Sequence, residues 1–147
     1  MSNCRLPFVG ARVESHRGSI SFKLEKRGDV LYLDGKSLSL FLSKKQQKGR
    51  MVVGHELRQE LEPRGNNVNA SVLDYLVDHP EVWPESWKKD AYVNPIFAFF
   101  WDDIFRDPVN DNLFVRYGFW GAGKVVSSSH RVLDSLWGYN NPAVSSS

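Results

Sequence analysis

An α+β domain is predicted, an antiparallel sheet packed against two or three short helices, and three features of the sequence predict it. Apolar residues alternate across 19–43, recur every three or four positions across 53–77, and give way after residue 92 to aromatic, β-prone segments. The 147 residues, 41% hydrophobic and 24% charged, have the length and composition of one soluble domain. A chain of this size buries about 69% of its unfolded surface, which suffices for a core without staples. The domain is expected over 19–144, after a loosely attached arm at 1–18 that shows no sustained period.

Each element follows from its pattern. Ile20, Phe22 and Leu24 fall on one face of an extended segment and Ser21, Lys23 and Glu25 on the other. Lys26-Arg27-Gly28-Asp29 turns the chain into a returning strand at 30–33, and Asp34-Gly35 is a strong hairpin dipeptide ahead of a third strand at 37–43. Residues 44–50 read as a solvated loop. Val53, Leu57 and Leu61 then mark one stripe of a helix that Pro63 and Gly65 stop. Asn69 is a good N-cap for a second helix, whose apolar face is Val72, Leu73, Leu76 and Val77 and which Pro80 ends. Pro84 opens a third short turn that sets Trp83 and Trp87 four apart on one side.

The later chain returns to strands. Residues 92–106 are aromatic on both faces, as a central strand covered on two sides requires. Residues 107–112 hold nearly every turn-forming type, so 113–120 folds back antiparallel. Gly121-Ala122-Gly123-Lys124 turns the chain again into a strand at 125–128. Trp137 closes the core ahead of a tail bearing Pro142 and Ser145-Ser146-Ser147.

Reactive groups do not assemble in this pattern. The single cysteine, Cys4, rules out an internal disulfide or a multi-cysteine metal knuckle and fits a reducing compartment, with the cytoplasm expected. The longest apolar run, Ile96-Phe97-Ala98-Phe99-Phe100-Trp101, is far short of the roughly 20 residues a membrane helix needs, and no apolar signal region follows Met1. Gly118-Phe119-Trp120-Gly121-Ala122-Gly123-Lys124 has the letters of a phosphate-binding loop, but Val125 stands where a Mg²⁺-holding hydroxyl is needed and a β-prone stretch follows where a helix should, so a glycine hairpin is expected. His55-Glu56 begins like a zinc-protease helix, yet Gln59 replaces the second histidine; His16, His55, His79 and His130 form no metal pair in sequence. Asp102 and Asp103, with Asp107 and Asp111, are the nearest approach to a carboxylate cluster. A metal-dependent hydrolase built on Asp102 and Asp103 competes there with turn formation and strand exit. No cofactor is expected.

Two partner classes remain. Residues 1–50 carry 11 Lys/Arg against 4 Asp/Glu and residues 51–147 carry 8 against 13, an opposition that can steer nucleic acid or hold the two halves together. Lys44, Lys45, Lys48 and Arg50 are the basic residues a nucleic-acid binder would use. Aromatic residues make 13% of the chain and Arg116, Tyr117 and Trp120 lie close together, so these three, with Trp83 and Trp87, are the candidates for a surface that contacts a protein partner or a second copy. That non-enzymatic binding module is the expected function, with nucleic-acid binding and metal-dependent hydrolysis as its alternatives.

One ordered set of strings has a wider likeness. Val53-Gly54-His55-Glu56-Leu57-Arg58-Gln59-Glu60-Leu61, Leu73-Asp74-Tyr75-Leu76 after Asn69, Pro80-Glu81, Pro84-Glu85 with Trp87-Lys88, Phe99-Phe100-Trp101, Phe105-Arg106-Asp107 and Leu113-Phe114-Val115-Arg116-Tyr117 follow one another over roughly 50–144. This series resembles a group of short uncharacterised bacterial proteins, largely from uncultivated lineages. The resemblance implies a bacterial, intracellular protein and names no reaction, because the group carries no assigned activity. It departs from the group's pattern at Asp102-Asp103, where a small residue and a hydroxyl would follow the Phe-Phe-Trp.

Overall fold

A computed structural model describes residues 4–16 and 21–147. Ser19 and Ile20, the start of the first predicted strand, lie outside the described residues. The fold is α+β. Its strands are β1 (Arg12–His16), β2 (Leu24–Arg27), β3 (Val30–Leu33), β4 (Lys36–Phe41), β5 (Val52–Val53), β6 (Ala98–Arg106), β7 (Leu113–Gly121), β8 (Val125–Val132), β9 (Leu136–Trp137) and β10 (Ala143–Ser146). Its helices are α1 (Lys44–Gln47), α2 (Gly54–Leu61) and α3 (Ala70–Asp78). The main sheet runs β2-β3-β4-β10-β6-β7-β8, with β1 also paired to β6, and β5 pairs β9 separately. All pairings are antiparallel except β10 with β6.

The hairpins sit where their turn residues demand. Asp34 and Gly35 both have positive φ, 50° and 82°, the geometry of the two-residue turn whose twist matches that of its strands. After β6, the Asp107 carboxylate accepts the Val109 amide at 2.9 Å and Asn110 accepts that of Asn112 at 3.0 Å.

β6 is covered on both faces. Ala98, Phe100 and Phe105 point to the side where α3 buries Val72, Leu73 and Leu76, with Trp83 and Trp87 filling the same layer. Phe99, Trp101 and Ile104 point to the other side, against Leu57 and Leu61 of α2 and Trp137 of β9. Strict alternation would put Phe105 with Phe99. The register against β7 shifts between Phe100 and Phe105, and this irregularity returns Phe105 to the α3 side. The Asn69 side chain accepts the Ser71 and Val72 amides at 3.0 and 3.3 Å, fixing the start of α3 as its sequence predicts.

Five expectations change. The basic stretch contains α1, because Ser43 and Gln46 form a reciprocal capping box and the Gln46 amide reaches the Gly138 and Asn141 carbonyls at 2.9 and 3.0 Å. The N-terminal segment is not a loose arm where it is described: Cys4 and Ala11 are buried and β1 pairs with β6. The serine tail extends the domain past residue 144 as β10, inserted between β4 and β6 with Ala143, Val144 and Ser145 buried. β6 begins at Ala98 rather than 92, and β8 runs on to Val132. Among the described residues, no helix is long and apolar enough to cross a membrane.

Candidate functional site: the two faces of the C-terminal sheet

β7 and β8 form an unbroken ladder from Phe114 opposite Val132 to Gly121 opposite Val125. Alternation therefore sorts their side chains cleanly between two faces.

The α3 face takes Arg116 and Trp120. Arg116 is 3% exposed, its Nη2 is 2.8 Å from Asp74 Oδ1, and Nη1 donates to the Arg5 carbonyl at 2.9 Å. Beside it Ser128, Ser129, His130, Leu6 and Pro7 complete the lining of a 210 Å³ cavity. Burial, then the neighbouring Arg116 charge, holds the His130 imidazole below its ordinary range. Trp83 and Trp87 pack edge to face at 5.4 Å and are 1% and 4% exposed. Trp120 is half-buried under the Lys88 ammonium, 3.9 Å above its ring. Trp83, Trp87 and Arg116 are thus interior residues, and Tyr117, one position on from Arg116, belongs to the opposite face. Trp83 and Trp120 meet with Lys88 at the edge of a 410 Å³ cavity, but the five candidates do not share one surface: alternation puts Tyr117 on the other face of β7, and Trp87 and Arg116 are buried.

The opposite face carries a half-buried aromatic group that the sequence reading missed in part. Phe97 stands edge to face with both Tyr117 and Phe119, each at 5.4 Å, and Tyr117 lies 4.6 Å from buried Phe99. Arg131, from β8, sets its guanidinium 5.1 Å from the Phe99 ring, 5.6 Å from Tyr117 and 5.2 Å from Trp137. It donates to the Leu136 carbonyl at 3.1 Å and Asn141 Oδ1 at 3.0 Å. Burial lowers its proton affinity from the ordinary arginine value, against an opposing influence of Tyr117. Tyr117 and Phe119 are two apart, so their shared face was readable in the sequence; Arg131 was not, since only the β7–β8 register brings it there.

The remaining candidates resolve separately. Lys44 and Lys45 border a 490 Å³ cleft with Phe41, Glu56, Glu60 and Arg64, where Lys45 pairs with Glu56 at 2.6 Å and Arg64 stacks 3.8 Å over Phe41. Lys48 caps the end of α1, and Arg50 is exposed beyond it. Asp103 is fully buried and accepts the Ala70 amide at 2.6 Å, while the Asp102 amide donates to the Val68 carbonyl at 3.3 Å. These contacts tie β6 to the start of α3. Among the described residues, no three His, Cys, Asp or Glu side chains are grouped so that they could hold a metal ion. The glycine string is the β7–β8 hairpin, with Gly123 and Lys124 at φ 78° and 58°. No protein-family model matches the chain, and no curated protein or solved structure does so either.

Proposed function

We propose that this chain is a small non-catalytic binding module that contacts a protein partner, or a second copy of itself, through the aromatic face formed by Phe97, Tyr117 and Phe119 beside Arg131. The observation that supports it is the packing of those rings: each is half-buried and braced by another ring, so its outer edge is presented without freedom to collapse. Ring-braced side chains lose little rotamer entropy on binding, and Tyr, Phe and Arg are the types that interfaces enrich. Asp103 is occupied with the α3 amide and Lys45 with Glu56, which leaves less for the hydrolytic and nucleic-acid alternatives to use.

The test is a Tyr117→Ser, Phe119→Ser double variant whose fold is first checked by near-ultraviolet circular dichroism. Central aromatic residues at interfaces cost about 2 kcal/mol or more when truncated, so partner capture or self-association should weaken at least roughly tenfold. If the folded variant captures partners and self-associates as the parent chain does, the proposal is wrong.

A further inference from the structure

We infer that a second copy of this chain adds to the sheet along β8, strand against antiparallel strand. The inference rests on the sheet edge and not on the aromatic face, so either can fail without the other. β8 ends the strand order and has β7 as its sole partner among the described residues. The Leu133 amide donates to the Leu113 carbonyl at 2.8 Å, which fixes the phase of the ladder: odd-numbered residues of β8 direct their backbone groups at β7. Val126, Ser128 and His130 therefore turn their amides and carbonyls outward. Ser135 takes the Val132 carbonyl, and no described residue hydrogen-bonds to the outer backbone groups of Val126, Ser128 or His130.

A row of unpaired backbone groups is a template for another strand, and proteins guard such edges by shortness, charge, proline or bulges. The sheet's other end is guarded. β2 has 4 residues, and Glu25, Lys26 and Arg27 are three of them. β8 has 8 residues, no proline and no register shift against β7, and its one Lys or Arg, Arg131, is turned back onto the aromatic face.

The outward residues are complementary to themselves. Centring a two-fold axis on Ser129 sets Val126 against Val132 of the second copy and Ser128 against its His130; the Ser128 and His130 pairs exchange amide bonds, and the Val132 amide reaches the Val126 carbonyl. Sliding by one pair in one direction would oppose two His130 residues, and in the other would set Lys124 against Val132. The Ser129 register is the one that avoids both facing imidazoles and a Lys124 opposite Val132. Because that axis is perpendicular to the sheet, Tyr117 and Phe119 of both copies lie on the same side of one continuous sheet.

Sedimentation velocity on the full chain, from micromolar to near-millimolar concentration, should give a monomer–dimer equilibrium. Ser128→Pro removes an outward amide without touching the β7 ladder and should leave monomer; Ser128→Lys serves the same end if the proline variant does not fold. In the Ser129 register residue 129 faces its own copy with Cα atoms about 4.5 Å apart, within disulfide reach. Mild oxidation should therefore link Ser129→Cys chains, but not Ser127→Cys chains, which face Arg131. A monomeric mass at every concentration overturns the inference, as does a dimer unaffected by both edge variants or a cross-link formed more readily at 127 than at 129.

Discussion

Arg116 and Asp74 join β7 to α3 through a contact of 2.8 Å, with their side chains only 4% and 12% exposed. The pair also anchors the N-terminal segment, since Asp74 Oδ2 accepts the Arg5 amide at 2.7 Å and Arg116 donates to the Arg5 carbonyl. Removing one partner of a buried pair leaves an uncompensated charge, which costs about 3–5 kcal/mol. Arg116→Met and Asp74→Asn should each fall in that range in urea unfolding. The double variant should cost clearly less than their sum, because the second change removes the stranded charge. Additive losses would show that the two side chains act independently.

Two glycines are required by close approach. A Cβ at Gly118 would lie 2.5 Å from Leu73 Cδ1 and 3.3 Å from the Trp83 ring; at Gly54 it would lie 2.5 Å from the Trp137 ring and 2.6 Å from the Leu133 carbonyl oxygen. Leu73 can swing its methyl aside, whereas a carbonyl in the backbone cannot. Gly118→Ala should cost about 1–3 kcal/mol as an overpacking change. Gly54→Ala should cost more, and the reverse order in thermal unfolding would contradict this packing.

The fold was largely legible where one local signal sufficed. The Asp34-Gly35 turn, the Asn69 cap and the two-faced aromatic strand are each encoded within a few residues. What escaped depends on partners distant in sequence. Gln46 looks like a polar residue in a basic loop until its contacts with Gly138 and Asn141 appear, 92 and 95 residues away. Ser145 and Ser146 have the composition of a tail, and only pairing with β4 makes them a strand. The candidate site divides in the same way. Local composition points equally to Tyr117, Arg116 and Trp83, yet the last two are interior, since composition does not say which face α3 covers.

Acid should weaken the fold in two separate windows. His130, packed between Phe8 and Phe114 at 5.3 and 5.4 Å and facing Arg116, is held below the ordinary imidazole value of about 6.5. The unfolded chain therefore takes the proton first, and stability falls as pH drops below about 6.5 until it passes the folded value. His130→Asn should flatten that part of the profile in denaturant titrations at stepped pH. Below it, the depressed carboxylates of Asp29, held first by its hydrogen bond with Ser86, and Asp78, held by Arg5, stabilise the fold above about pH 4 and lose that contribution as pH falls through their folded values. An unchanged slope near neutrality in His130→Asn would assign the first window to another group.

The last strand of the chain closes the sheet, and this gives a test by truncation. Ala143 pairs with both Phe41 of β4 and Phe99 of β6, and Val144 is fully buried on the α3 side of the sheet. Removing residues 143–147 would leave β4 and β6 facing each other across a missing strand, with two rows of unpaired backbone groups and an emptied core position. The truncated chain should lose its cooperative unfolding transition and its near-ultraviolet signal. Removing Ser147 alone gives up one backbone bond, from its amide to the Ser37 carbonyl at 2.9 Å, and should preserve both. A cooperative transition in the 1–142 chain would mean that β4 and β6 can close on each other, making β10 an accessory to the sheet instead of its centre.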